Sequence, residues 1–157
     1  MSGFRPGVRL GIDVGKARVG VARCDRDGLL AVPVETVPRN DDAVRRITEL
    51  AEEYAAIELL VGLPVSLSGS DTASTADARA FASELSTASG VPVRLVDERL
   101  STVSAHAALR DAGRSQRSSR RIIDQVAAVV LLQQAIDVEK STGAPAGAAV
   151  HDPQEPA

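Results

Sequence analysis

Val8-Arg9-Leu10-Gly11-Ile12-Asp13-Val14-Gly15-Lys16-Ala17-Arg18-Val19-Gly20-Val21-Ala22-Arg23-Cys24 holds two strands with almost no chain between them. Val8 to Val14 reads as a buried strand ended by Gly15, and Val19 to Cys24 as a second. Asp25-Arg26-Asp27-Gly28 is a turn signal, and Leu29 to Val37 reads as a third strand. A parallel crossover needs a dozen or more residues, so strands this close form an antiparallel meander. Pro33 suits an edge position for the third strand, because proline has no N–H for a ladder.

Downstream the periodicity changes. Val44, Ile47, Ala51 and Tyr54 recur at helical spacing after Asp41-Asp42. Glu58 to Gly62 reads as a short buried strand. A helix follows from about Asp71 to Ser89, with Ala78, Phe81, Ala82 and Leu85 on one face. Pro92 to Val96 is a fifth strand. Ser101 can cap a helix to about Ala112, Gly113 to Ser119 reads as a polar loop, and Arg120 to Lys140 as the last helix. The order βββαβαβαα predicts an α/β fold: a five-stranded mixed sheet, three strands antiparallel and then two parallel, flanked by helices. Residues 1–140 are expected to form one domain. From Ser141 to Ala157 the chain is rich in Ala, Gly and Pro, lacks periodicity and is expected to be a disordered tail.

Composition narrows the function. The 157 residues are 44% hydrophobic and 25% charged, which suits one globular domain with an aliphatic core. Phe4, Tyr54 and Phe81 are the only aromatic residues, which weakens a reading as a module that stacks bases on rings. Net charge is −3, so any nucleic-acid contact must come from local basic patches. One such patch runs from Arg110 to Arg121, where five arginines (Arg110, Arg114, Arg117, Arg120, Arg121) accompany one acid, Asp111. Interspersed serines suit phosphate contacts, and a solvated linker is the plain alternative. Cys24 is the only cysteine, so no intramolecular disulfide and no paired-cysteine metal site exists; an exposed Cys24 would still permit an intermolecular disulfide. No signal-peptide pattern is present and the longest apolar run is too short for a bilayer, so a soluble cytoplasmic protein is expected.

Three acids stand out. Asp13 ends the first strand. Glu98 lies just after the fifth, in Leu95-Val96-Asp97-Glu98-Arg99-Leu100-Ser101-Thr102. Asp124 lies near the start of the last helix. Each has an ordinary reading: a solvated strand end, a surface ion-pair cluster, a helix-dipole partner. As a set they suit a divalent-metal site, since hard cations take carboxylate oxygens. Adjacent acids in an extended segment face opposite sides, so one of Asp97 and Glu98 can serve; Glu98 is favoured. Gly62-Leu63-Pro64 followed by Ser66, Ser68, Gly69 and Ser70 offers loop hydroxyls and amides for phosphate, or is an ordinary polar loop.

Other chemistries lack parts. A P-loop reading of Gly15-Lys16 fails because Leu10 and Ala17 stand where glycine and a magnesium-binding hydroxyl belong. His106 has no cysteine or second histidine at zinc-ligand spacing, and His151 lies in the expected tail. A phosphotransferase of the actin-like type uses a similar hairpin but needs two such domains.

Gly11-Ile12-Asp13-Val14-Gly15 with Val19-Gly20-Val21-Ala22, then Val61-Gly62-Leu63-Pro64, then Asp97 to Thr102, then Asp124 before Ala127-Ala128, resemble the YqgF/RuvX family from about Leu10 to Leu132. The resemblance implies an RNase H-like fold shared with Holliday junction resolvases, and a nuclease acting at the 5′ end of precursor 16S rRNA. It carries over Asp13, Glu98 and Asp124 as catalytic and metal-binding residues, with Mg²⁺ or Mn²⁺ as cofactor. Lys16, Arg99, Arg110, Arg114, Arg117, Arg120 and Arg121 are then the expected nucleic-acid contacts, for structured RNA or branched DNA, by a monomer or homodimer. Many members carry Asn and an acid or amide after Leu63-Pro64, where this chain has Val65-Ser66-Leu67-Ser68, so this loop departs from the pattern. Resolution of branched DNA and non-catalytic nucleic-acid binding are the competing functions.

Overall fold

A computed structural model describes residues 4–64, 72–97 and 116–150, with side chains of the last helix from residue 125 onward. Strands β1 (Arg9–Val14), β2 (Arg18–Cys24) and β3 (Ala31–Pro38) form the meander. Helix α1 (Ala43–Glu53), β4 (Glu58–Leu63), helix α2 (Ala73–Ser89), β5 (Val93–Asp97), helix α3 (Gln116–Thr142) and β6 (Ala148–Ala149) follow. The sheet order is β3-β2-β1-β4-β5-β6, with β1 parallel to β4 and β4 parallel to β5. β1 is therefore interior, and Pro33 does sit in an edge strand.

This is the mixed, RNase H-like sheet the sequence predicts, with one strand more. β6 adds antiparallel to β5, so the sheet has six strands rather than five. Residues 141–150 accordingly differ from the expected disordered tail. Helix α3 runs to Thr142, Ala146 is buried, and the Arg94 guanidinium donates to the carbonyls of Ala146 and Gly147 at 2.7 and 2.6 Å. Local composition does not reveal this order, because it comes from pairing with a strand about 50 residues away.

Two boundaries also move. β3 begins at Ala31, not Leu29, because the Asp25 carboxylate accepts the N–H groups of Asp27, Leu29 and Leu30 and holds them in the turn. α3 begins at Gln116, not Arg120: Gln and Arg are good helix formers, and no Gly or Pro follows Gly113 before the helix ends. The helix expected over 101–112 and the loop serines Ser66, Ser68 and Ser70 lie outside the described residues.

Alternation along the strands sorts side chains between two layers. Leu10, Ile12, Val19, Val21, Leu59, Val61, Val93 and Leu95 pack with α1 and α2. Ala22, Cys24, Ala31 and Leu60 pack with Ala128, Leu132, Ala135 and Ile136 of α3. Gly11 lets α3 come down onto β1: a Cβ there would lie 2.7 Å from the Ala128 carbonyl and 2.8 Å from the Leu132 Cβ. Cys24 is fully buried and accepts from the Arg9 N–H, and burial pushes its thiol pKa up. The intermolecular disulfide that exposure would permit is closed to it.

Buried charge closes the far end of the sheet. Arg9, Glu58 and Glu139 are 1%, 3% and 2% exposed. Arg9 donates to Glu139 at 2.9 Å, and Arg5 bridges Glu139 and Glu58 at 2.8 and 3.1 Å. The cluster ties the N-terminal segment, β1, β4 and the end of α3 together. Every member has an opposite charge, so it serves the fold.

Candidate active site

The parallel strands β1, β4 and β5 all end at one edge of the sheet. Ligands of open α/β sheets gather beyond the carboxyl ends of such strands. Asp13 is the residue before last in β1. It is half-buried and opposes Gly20 of β2, which opposes Thr36 of β3. On the other side β4 presents Gly62 one residue beyond the Ile12–Val61 pair, and Gly62 opposes Val96. Glycines thus stand next to Asp13 in both neighbouring strands.

The face of Asp13 is fixed by its neighbours. Val14 packs with the α1/α2 layer, and Val96, across the row from Asp13, packs with the α3 layer. Asp13 therefore shares its face with α3. Asp97 opposes Leu63, which belongs to the α1/α2 layer. Asp97 and Asp13 consequently lie on opposite faces of the sheet.

Helix α3 runs along this face with its N-terminal half toward Asp13. Ala128 and Leu132 lie over Gly11, while Gln133, Ile136 and Lys140 lie beside Ala31 and Gly28 at the far end. Toward the start of the helix, Gln125 Nε2 donates to Thr36 Oγ1 at 2.8 Å, in the same row as Asp13. Position 124 precedes Ala128 by four residues, about 6 Å of helical rise, close to the roughly 6.7 Å from Gly11 to Asp13 along β1. The backbone of Asp124 thus lies on the Asp13 face. Because α3 begins at Gln116, Asp124 sits two turns inside the helix. The helix-dipole explanation for an acid there fails, since that effect fades within the first turn.

The turn that carries Asp13 is braced. Gly15 N–H donates to the Arg18 carbonyl at 2.9 Å, and a Cβ on Gly15 would meet that oxygen at 2.7 Å, so this close approach requires glycine. Arg39 donates to the Gly15 carbonyl at 3.0 Å and, bidentately, to Asp77 of α2 at 2.8 and 2.9 Å, with its guanidinium over the Phe81 ring. The Arg39 hydrogen bonds hold the Asp77 carboxyl below its ordinary range, assisted by the charge of Lys16. Lys16 is exposed at the tip of the turn. At the end of β4, the Thr75 hydroxyl donates to the Pro64 carbonyl, tying the start of the following loop to α2.

Of the expected site residues, the structure thus describes Asp13 and Lys16 in full and the helical backbone of Arg117, Arg120, Arg121 and Asp124. Glu98, Arg99, Arg110 and Arg114 lie outside the described residues. Among the described residues no group of three or more metal-ligating side chains occurs, Asp13 being the only one of the three acids whose side chain is described. Carboxylate oxygens are the donors Mg²⁺ and Mn²⁺ prefer, and the Asp13 carboxylate near the end of β1 is of that chemical type. Thr36, Gln125, Arg39 and Asp77 escape the sequence reading; of these, only Gln125 has a signal, its place beside Asp124.

No helix among the described residues is long and apolar enough to cross a membrane. Relatives span the same length. A protein of Leifsonia xyli subsp. xyli named "Putative pre-16S rRNA nuclease" is 56% identical over 146 residues, covering 92% of this chain and 94% of its own. One of the same name from Streptomyces coelicolor is 51% identical over 150 residues, covering 94% and 90%. Among solved structures, Thermus thermophilus RuvC in complex with a Holliday junction substrate superposes with a TM-score of 0.55 at 18% identity, covering 88% of this chain and 99% of that one, a likeness of fold. Residues 7–138 match the family described as "RuvX: Holliday junction resolvase". With that match spanning both the Asp13 hairpin and the helix that crosses it, the chain belongs to the RuvX family.

Proposed function

We propose that this chain is a divalent-metal-dependent endonuclease that processes the 5′ end of precursor 16S rRNA in the cytoplasm. The observation that carries the reading is the placement of Asp13 and the helix bearing Asp124 on one face of the sheet, at the edge where β1, β4 and β5 end. The names of relatives above half identity support the substrate.

In this reading Asp13, Glu98 and Asp124 hold the metal. Asp97 belongs to the α1/α2 face, opposite Asp13, so of the two adjacent acids Glu98 is the proposed ligand. A bound divalent ion supplies Lewis-acid stabilisation of the phosphoryl oxygens and an activated water. The protein's own part is to fix the carboxylates, with Gly11 setting the height of α3 over β1 and Arg39 bracing the turn beyond Asp13. Lys16 at the turn and Arg117, Arg120 and Arg121, recurring at helical spacing ahead of Asp124, are assigned to the phosphate backbone, together with Arg99, Arg110 and Arg114.

A second reading, resolution of branched DNA, is favoured by the family description. It requires a two-fold dimer with two active sites. One experiment separates the two. The purified protein is incubated with precursor 16S rRNA and with four-way DNA junctions, with Mg²⁺ or chelator, and cut ends are mapped. Metal-dependent cutting at the rRNA 5′ junction supports the proposal. Symmetric cutting of the junction alone supports the second reading, and cutting of neither refutes both.

A further inference from the structure

Between β2, β3 and the N-terminal half of α3 lies a cleft of about 450 Å³, with Ala17, Arg18, Thr36, Pro38 and Gln125 among its lining. We propose that this cleft receives the ribose of a nucleotide flanking the scissile phosphate, and that Thr36 and Gln125 recognise its 2′-hydroxyl. The inference rests on the nuclease reading and deepens it, by making RNA rather than DNA the substrate this site selects.

Position is the first argument. Thr36, Gly20 and Asp13 form one row on one face, so the cleft begins two strands, roughly 10 Å, from the carboxylate. The intervening residue is glycine, which puts no side chain between them. A strand of nucleic acid with its reactive phosphate at Asp13 has its neighbouring sugar within reach of this cleft.

Chemistry is the second. Gln125 Nε2 donates to Thr36 Oγ1 at 2.8 Å. That bond uses one amide N–H and one hydroxyl lone pair; the amide carbonyl is an acceptor and the threonine O–H a donor. A 2′-hydroxyl both donates and accepts, and it is the group by which a protein tells RNA from DNA. Ala17 and Pro38 give small apolar walls that suit a sugar. Arg18 also lines the cleft. Among the described residues the lining has no aromatic ring, so the cleft is not built to stack a base. A site of neutral hydrogen-bonding groups discriminates strongly against a ligand that lacks the matching hydroxyl, because its own groups then go unpaired.

The test is a scan of single 2′-deoxy substitutions through a short RNA spanning the 16S 5′ cleavage junction. Cleavage is measured for wild type, Thr36→Val, Gln125→Leu and Thr36→Ser. Binding is measured in parallel by fluorescence anisotropy with Asp13→Asn, alone and combined with each cleft variant. At one position beside the cut, a deoxy residue should slow wild-type cleavage roughly tenfold, the scale of removing one hydrogen bond in a protected site. The same deoxy residue should have no effect in Thr36→Val or Gln125→Leu, and full effect in Thr36→Ser, which keeps the hydroxyl. A flat scan, or Val and Leu variants that keep wild-type sensitivity, overturns the proposal. The binding arm keeps the two readings apart. If no RNA is cut, the nuclease reading falls, while a position-specific deoxy effect on affinity that Thr36→Val removes still supports the cleft, and its absence refutes it.

Discussion

Glycines shape the surroundings of Asp13. Gly20 and Gly62 flank it in the sheet, Gly15 closes the turn after it, and Gly11 admits the helix two residues before it. Gly11→Ala should therefore be costly. Its methyl would strike a helix carbonyl and a buried Leu132, and the destabilisation should be about 1–3 kcal/mol, read as a lower midpoint in urea. Asp13→Asn has no such conflict. It keeps the shape and removes a charged ligand, so metal-dependent cleavage should fall at least a hundredfold, by roughly 3 kcal/mol of transition-state stabilisation, while thermal melting stays near wild type. Wild-type cleavage by that variant would remove Asp13 from the site.

At the scale of elements, the hairpin, α1, α2 and the parallel strands are legible in the sequence because apolar spacing and turn residues agree along each of them. The start of α3 is not, since serine and arginine read equally as a polar loop. Asp13 and Asp124 can be named from the sequence, but their common face cannot, because it depends on where α3 crosses β1. Arg39 shows the same limit: its partners, Gly15 and Asp77, lie 24 and 38 residues away. The Arg39–Asp77 pair is partly exposed, so Arg39→Ala should cost at most about 1 kcal/mol of stability. It should nonetheless reduce the cleavage rate more than Asp77→Ala does, because only Arg39 also holds the Gly15 carbonyl. Equal rates for the two variants would show that the brace on the turn is irrelevant. For the basic turn of α3, replacing Arg117, Arg120 and Arg121 with alanine should flatten the salt dependence of RNA binding by roughly 0.7 for each phosphate no longer engaged.

Across the whole molecule, segments near both ends of the chain are built into the sheet. The sequence hides this twice: the ion pairs of Arg5 and Arg9 with Glu58 and Glu139 join residues far apart in the chain, and residues from Ser141 read as a tail. Truncation after Thr142 removes β6 and the hydrogen bonds of the flanking Ala146, Gly147 and Val150 to Arg94 and Val93, and should cost about 2–4 kcal/mol, visible as a lower melting temperature. The charge cluster gives the fold an acid limit. Burial alone would raise the Glu139 pKa, but hydrogen bonds from Arg5 and the charges of Arg9 and Arg5 outweigh it and leave the value lowered from 4.5. A depressed carboxyl stabilises the fold fully above its unfolded pKa, and that stability is lost as pH falls below 4.5 through the folded value. Glu139→Gln should lower stability at pH 7 and flatten this acid limb, as followed by urea unfolding from pH 7 to pH 3.

The central claim is that three acids distant in sequence share a metal on the α3 face of the sheet. Mn²⁺ titration followed by electron paramagnetic resonance tests it most directly, on wild type, Asp13→Asn, Glu98→Gln, Asp124→Asn and Asp97→Asn. Each of the first three substitutions should weaken Mn²⁺ binding at least tenfold, and Asp97→Asn, on the opposite face from Asp13, should leave it unchanged. Wild-type affinity in Asp124→Asn, or weakened binding in Asp97→Asn that Glu98→Gln does not share, would contradict the account.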